Sequence, residues 1–150
     1  MRCHLARSGG PALREMSRGL RSGGSYFVLA DIVRDVAFTA SAGGETSMMG
    51  ETLAGEPGQT VAVSLEFTEN VPVEAVELIG NPGGRVRVVA RSPAKGLTRS
   101  AGRTTWTVDV TMGRKPCYLR ARGSAHVRQP YPMRAWFYTN PLWLAPPTTA

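Results

Sequence analysis

Thr60–Thr68 constrains the fold of this chain more than any other segment, because its apolar and polar residues alternate strictly. Side chains at successive positions of a strand point to opposite faces, so this alternation predicts a half-buried β-strand. The inward set is entirely apolar and consists of Val61, Val63, Leu65 and Phe67. The intervening set is small or polar. The segment therefore predicts a sheet with one face in the core and the other in solvent.

The same succession of strand and turn continues through most of the sequence. Further strands are expected at Ser25–Ala30, Val36–Ala42, Val73–Ile79, Arg85–Ala90, Thr104–Val110, Cys117–Arg122, Ala135–Thr139 and Leu142–Leu144. The 17 glycines and 11 prolines among 150 residues exceed the usual combined share of about 12%, and they mark the turns. This pattern predicts an all-β fold, a two-layer antiparallel β-sandwich of the immunoglobulin-like type, with one short N-terminal helix.

The helical segment is Pro11–Arg21, where Leu13, Met16 and Leu20 recur at helical spacing. A proline suits the first helical turn, and the double glycine after Ser22 ends the helix. The apolar stripe has few large side chains, so we expect it to pack against protein rather than to lie on a membrane.

These patterns divide the chain into four parts. Residues 1–10 show no periodicity and are expected to be disordered. Residues 11–24 form the helix and a linker, residues 25–145 form the sandwich, and residues 146–150 form a tail.

The net charge of +7 is unevenly distributed. Nine acids and one arginine lie between Asp31 and Gly84, whereas twelve basic residues and one acid lie between Arg85 and Arg134. Opposite charges on paired strands stabilise the pair by about 0.2–1 kcal/mol. We therefore expect the basic half to pair with the acidic half, and we expect no nucleic-acid partner.

Residues that carry catalysis or bind metals are sparse. His4 and His126 have no second ligand at a useful spacing, and Cys3 and Cys117 are expected to be free thiols. Neither G-x-S-x-G, nor a P-loop, nor G-x-G-x-x-G occurs. The sequence predicts no catalytic residue, no metal and no cofactor.

A possible carboxylate pair and a group of aromatic residues suggest a functional site, and each also has a structural interpretation. Glu74 and Glu77 stand three residues apart, and on a continuous strand they would project to opposite faces and could not share a substrate. The second half also contains aromatic residues that could stack on bases or sugars, namely Trp106, Trp136, Trp143, Tyr131, Phe137 and Tyr138. Because Trp106 and Trp136 fall in alternating strands, we expect these two to fill the core between the sheets.

The sequence contains no run of about 18 apolar residues, which excludes a membrane-spanning helix. Its first residues also lack the apolar core of a secretory signal. We therefore expect a cytoplasmic protein with no membrane partner.

Several segments of the chain follow one another in a recognisable order. The first is Ala12–Val28 (ALREMSRGLRSGGSYFV), which resembles the passage from the catalytic barrel of PHP-type metallohydrolases into the C-terminal β-sandwich of that family. Later segments are similar too, namely Met49–Leu53, Thr60–Phe67, Val76–Ile79, Cys117–Arg122 and Tyr138–Trp143. The closing pattern, Y-x-R-x-R followed by T-N-P-L-W, resembles the CehA/McbA-like group of the family.

The resemblance implies the sandwich of such an enzyme without its barrel. The His- and Asp-rich metal motifs of the family lie in the barrel, and Arg2-Cys3-His4 does not reproduce the D-x-H ligand expected near its end. No catalytic residue is therefore carried over. The resemblance implies a non-catalytic accessory or interaction domain, a truncated or split part of a metal-dependent hydrolase. Its partner would be a separate barrel or a second copy, contacted through Leu13, Met16 and Leu20.

A different class of function also fits the basic, aromatic second half. A module that binds polyanions or carbohydrate would use arginines together with aromatic platforms. This hypothesis predicts that five arginines form one patch free of acids. They are Arg85, Arg87, Arg120, Arg122 and Arg128.

Overall fold

The structure is a computed structural model that describes residues 2–5, 17, 19–128 and 130–147. Residues 17 and 19–22 are helical, and β-strands dominate the rest. The strands are β1 (Arg2–Leu5), β2 (Ser25–Val28), β3 (Val33–Ala42), β4 (Glu45–Met48), β5 (Thr52–Ala54), β6 (Thr60–Glu69), β7 (Ala75–Gly80), β8 (Arg87–Pro93), β9 (Thr98–Ser100), β10 (Arg103–Thr111), β11 (Cys117–Val127), β12 (Met133–Thr139) and β13 (Leu142–Ala145). Short 3-10 turns at Pro82–Gly84 and Ala94–Gly96 flank β8.

The strands form two sheets that pack face to face. Sheet A has eight strands around β11, which pairs with β7 along one edge and with β12 and β13 along the other. The strand β12 continues to β2 and β1, and β7 continues to β8. Sheet B has five strands in the order β4-β3-β6-β10-β9. The predicted all-β sandwich is confirmed.

The alternating segment Thr60–Thr68 lies in β6, the central strand of sheet B. Its four predicted core residues are all buried, and they are Val61, Val63, Leu65 and Phe67. The ring of Phe67 packs on that of Phe137 in sheet A, with ring centroids 5.2 Å apart. On β11, a side chain at Gly123 would overlap the ring of Phe137, so only glycine leaves room for this aromatic pair. These two phenylalanines therefore join the two sheets across the core.

Several strand predictions were incomplete or wrong. The pairing of β5 with β13 is parallel, an exception in a sandwich that we expected to be antiparallel. Residues 2–5 were expected to be disordered, yet they form β1 at the edge of sheet A because the backbone of β2 has a free side there. Residues 6–10 lie outside the described part of the chain. The short edge strands β4, β5 and β9 were also missed as strands, since three or four residues carry too little periodicity.

The region around His126 also differs from expectation. The strand expected at Cys117–Arg122 is longer than predicted, because β11 runs on to Val127 and pairs with β12 as far as Met133. His126 is thus an exposed residue of a strand. Gly123 and Ser124 interrupt the apolar alternation that would have indicated a longer strand.

Candidate functional site

The outer face of sheet A brings together arginine and aromatic side chains that are half-buried or exposed. Alternation on β11 buries Cys117, Leu119 and Ala121 and so turns the residues between them outward. We define the aromatic–arginine face as this surface. Its members are Phe27, Glu77, Arg91, Tyr118, Arg120, Arg122, Arg134, Trp136, Tyr138 and Trp143.

Strand register aligns five of these residues across five neighbouring strands. Phe27 is opposite Tyr138, Tyr138 is opposite Arg122, Arg122 is opposite Glu77, and Glu77 is opposite Arg91. Directly opposed side chains are the closest neighbours on a sheet face. This row therefore runs from the apolar side of the face at β2 to its charged side at β8.

Three arginines of the face stack on its aromatic rings. The guanidinium of Arg120 lies 4.9 Å from the ring centroid of Tyr138, and that of Arg122 lies 4.8 Å from that of Trp136. Arg134 approaches the same indole at 5.9 Å. A guanidinium within about 6 Å of a ring centroid is attracted by the ring quadrupole. These contacts hold the long side chains against the sheet.

Glu77 is the electrostatic centre of the face. Both Nε and a terminal nitrogen of Arg122 donate to its carboxylate, the Nε at 2.8 Å, and the Nε of Arg91 approaches at 3.5 Å. The side chain of Glu77 is only 13% exposed, so water competes weakly for it. Burial by itself lowers the pKa of Arg122, but hydrogen bonds with Glu77 and Tyr138 outweigh burial and raise it. The arginine stays fully charged.

A cavity of about 310 Å³ opens beside Glu77. Its lining includes Glu74, Arg91, Arg122, Arg134 and Trp136. We predicted that Glu74 and Glu77 would lie on opposite faces, and this was wrong. The strand β7 begins at Ala75, so Glu74 precedes the regular alternation and lines the same cavity, with its carboxylate 3.6 Å from Arg134.

The two tryptophans that we expected in the core separate. Trp106 is buried between the sheets, as predicted. Trp136 faces outward instead, because β12 buries Ala135, Phe137 and Thr139 on the opposite parity. The alternation in this strand was visible in the sequence. Because aromatic residues occur on both of its faces, the sequence did not show which face is buried.

The predicted interaction residues are not brought together. Arg85 and Arg87 are exposed on the hairpin between β7 and β8, and Arg128 is exposed beyond the end of β11. Arg120 and Arg122 belong to the aromatic–arginine face, where Glu77 is interleaved with the arginines. The acid-free patch that a polyanion requires does not form. Leu20 is 54% exposed, while Leu13 and Met16 lie outside the described residues.

Charge pairing follows the division of the sequence into an acidic and a basic half. Five ion pairs among the described residues join a glutamate of the first half to an arginine of the second: Arg91–Glu77, Arg99–Glu69, Arg103–Glu66, Arg122–Glu77 and Arg134–Glu74. Arg99 is the most completely bound, since it also donates to the carbonyl of Ala94, and Glu69 raises its pKa. The expected pairing of the acidic half with the basic half is confirmed.

A second cluster lies where the helical residues enter β2. The side-chain amide of Asn140 donates to the carbonyl of Gly23 at 3.0 Å and to the hydroxyl of Ser25 at 2.8 Å. The backbone N–H of Gly50 donates to the carbonyl of Pro141 at 2.7 Å. A side chain at Gly50 would overlap the carbonyl of Ser22. We call this cluster the junction.

The described ranges contain neither a metal-ligand cluster nor a membrane-spanning helix. No group of three or more His, Cys, Asp or Glu residues there could hold a metal ion. No helix there is long and apolar enough to cross a membrane. Cys117 is buried as a free thiol, and burial raises its pKa, which keeps the thiol protonated and unreactive.

Neither a protein-family model nor a curated protein sequence matches this chain. The class of this protein is therefore defined by its fold and its surface alone. That class is an all-β sandwich with an aromatic–arginine outer face.

Proposed function

We propose that this chain is a non-catalytic β-sandwich accessory domain that acts with the catalytic barrel of a PHP-type metallohydrolase. The barrel would either precede the sandwich in the same polypeptide or bind as a separate chain. The observation that carries this proposal is the junction. Three segments that resemble the family meet there, although they are far apart in sequence: the helix end before Ser25, the turn at Gly50, and Asn140.

The junction has the properties of a rigid connection between domains. Asn140 anchors the turn at Gly23 by two hydrogen bonds, and each such bond contributes about 0.5–1.5 kcal/mol. Gly50 has φ of +90° and lies against the backbone of residues 22 and 23. The helix end is thus held at a defined direction relative to both sheets. A sandwich built in this way can orient whatever is attached to the helix.

The exposed helix end also supports an interaction role. Leu20 leaves more than half of its surface in water, although it belongs to the apolar stripe predicted for the helix. A leucine on such a stripe ordinarily packs against protein. The barrel that we propose would cover it.

The first experiment is a search of the surrounding DNA for the proposed catalytic barrel. The coding DNA around this chain is read for a barrel with clustered His and Asp motifs, in frame or in a neighbouring gene. That barrel is then produced with the sandwich, and the complex is measured by gel filtration with light scattering. We expect a one-to-one complex, or a single chain with the barrel in frame. The absence of any such barrel would overturn the proposal.

Matched variants then test the junction and the stripe. Gly50→Ala places a methyl group against Ser22, whereas Gly44→Ala changes a glycine of similar φ, +87°, that has open space around it. We expect Gly50→Ala to weaken the complex at least tenfold and Gly44→Ala to leave it unchanged. Because Gly50→Ala could unfold the sandwich, Leu20→Arg is the second variant. It changes only an exposed side chain and should also weaken binding at least tenfold; unchanged binding in both variants contradicts the proposal.

The alternative of polyanion binding has less support. It depended on five arginines in one acid-free patch, and Arg122 instead binds Glu77. Salt-independent, weak retention on heparin is the expected result.

A further inference from the structure

We propose that the cavity beside Glu77 binds a small hydroxylated carboxylate, an acidic monosaccharide such as a hexuronate. This inference does not rest on the proposed barrel, since all the residues that it uses belong to the sandwich. The cavity volume of about 310 Å³ lies at the lower end of the range of about 300–1,000 Å³ found for ligand pockets. It therefore suits a single sugar ring rather than a polymer.

One wall of the cavity is preorganised. Glu77 and Arg122 neutralise each other through two hydrogen bonds, and Arg122 also stacks on Trp136. The side chains of Arg122 and Glu77 are 27% and 13% exposed, so both are held in place by the protein around them. A ligand against this wall meets fixed planar groups and does not need to order them, which reduces the entropy cost of binding.

The rim of the cavity has the opposite character. Arg91 and Arg134 have side chains 66% and 58% exposed, and their glutamate partners lie at 3.5 and 3.6 Å. Both distances exceed the range of about 2.7–3.2 Å for a good N–H···O hydrogen bond. Each guanidinium has five N–H donors in a fork that fits a carboxylate. The rim therefore offers free donor capacity for an anion, while the wall does not.

The remaining polar groups specify the body of the ligand. Glu74 lines the cavity with a half-exposed carboxylate, which accepts hydrogen bonds from hydroxyl groups. Ser124 adds a hydroxyl to the lining, and Trp136 adds an apolar surface. A ligand that carries a carboxylate for the rim and hydroxyl groups for Glu74 uses both kinds of partner. A bare anion uses only the rim.

A second cavity, on sheet B, shows that arginine with glutamate is not by itself a site. That cavity also has a volume of about 310 Å³ and is lined by Glu69, Arg99 and Arg103. There Arg99 donates to both oxygens of Glu69 at 2.9 and 3.0 Å and to the carbonyl of Ala94. Its donors are already used within the protein, and no aromatic ring lines the cavity. This cavity on sheet B therefore serves as a control site, at which we expect no binding of the same ligand.

The test is a titration of ¹⁵N-labelled protein with glucuronate, glucose and acetate at constant ionic strength. Glucuronate is expected to shift the indole N–H signal of Trp136 with a dissociation constant in the millimolar range. The buried indole of Trp106 should not move. Glucose lacks the anion and acetate lacks the hydroxyl groups, so each should bind at least tenfold more weakly.

Variants separate the cavity from general electrostatics. The double variant Arg91→Gln/Arg134→Gln removes both rim donors, and we expect it to bind glucuronate at least tenfold more weakly while keeping the dispersed spectrum of the folded protein. Arg103→Gln, on sheet B, should bind as the wild type does. Three results would each overturn the proposal: no shift of Trp136 with glucuronate, equal affinity of the double variant, or acetate binding as tightly as glucuronate.

Discussion

The two outer faces of this sandwich have the same geometry and opposite chemistry. On sheet B, a row across four strands consists of Met48, Thr39, Ser64 and Thr107. On sheet A, the corresponding row consists of Phe27, Tyr138, Arg122, Glu77 and Arg91. Both rows alternate with buried core residues, as a half-exposed sheet requires.

The difference lies in how far each face is organised by its own side chains. Short hydroxyl side chains on sheet B contact at most a neighbour, as Ser41 contacts Thr46 at 2.8 Å. On sheet A, arginines stack on rings and share one carboxylate, so several side chains form a connected network. Sheet B thus carries short hydroxyl side chains and separate arginine–glutamate pairs, whereas sheet A joins arginines, aromatic rings and one carboxylate in a single network. That network is the physical basis for placing a binding function on sheet A.

The largest difference between the faces is expected on removing a carboxylate. Glu77→Gln leaves the guanidinium of Arg122 partly buried without its charged partner, and a hydrogen bond to a charged group contributes about 1.5–3 kcal/mol. We expect unfolding to become easier by about 2 kcal/mol. Glu66→Gln, on sheet B, breaks an exposed pair with Arg103 at 3.2 Å and should cost less than about 0.5 kcal/mol. Urea unfolding measures both, and equal losses would erase the contrast between the faces.

A smaller difference is expected on removing an aromatic ring. Trp136→Val keeps a residue of high strand propensity in β12 but removes the ring that Arg122 and Arg134 contact. The loss of two cation–π contacts at about 0.5–1 kcal/mol each predicts a destabilisation of about 1.5 kcal/mol. Thr107→Val is the matched change on sheet B and should stay within about 0.5 kcal/mol. The contrast fails if the two variants share the same urea midpoint.

The smallest effect is expected from alkaline pH, and it concerns sheet A alone. Burial raises the pKa of Tyr26 and the pKa of Cys117, which lie in β2 and β11. An acid whose pKa is raised on folding ionises first in the unfolded chain, so the stability that it contributes below its ordinary pKa is lost as pH rises. We expect stability to fall above a pH of about 8.5, where thiols ordinarily ionise, and to fall further above about 10.

The variant Cys117→Ala tests this assignment. Its cavity lowers stability equally at every pH, whereas its missing thiol should make the fall between pH 8 and 10 shallower than in the wild type. Thermal unfolding across that range measures both slopes. Parallel curves would show that the thiol has no part in the pH dependence.

The strands could be predicted where the alternation was long, whereas the candidate site could be predicted only in part, through Arg120 and Arg122. In β6, the alternation over Thr60–Thr68 was long enough to predict both the strand and the residues on its buried face. Trp136 was placed on the wrong side because β12 has aromatic residues on both parities. Glu74 was misplaced because a strand boundary shifts parity by one residue, and such boundaries leave little trace in sequence.

The sequence by itself determined that this chain forms sheets, which residues of the long strands are buried, and that acids of the first half pair with arginines of the second. These properties follow from local periodicity and from the sign of charge. Only the tertiary structure decided that Glu77 meets Arg91 and Arg122, and that Asn140 anchors Gly23. Those contacts join residues from distant strands, and their register is set by packing of the whole core rather than by any segment alone.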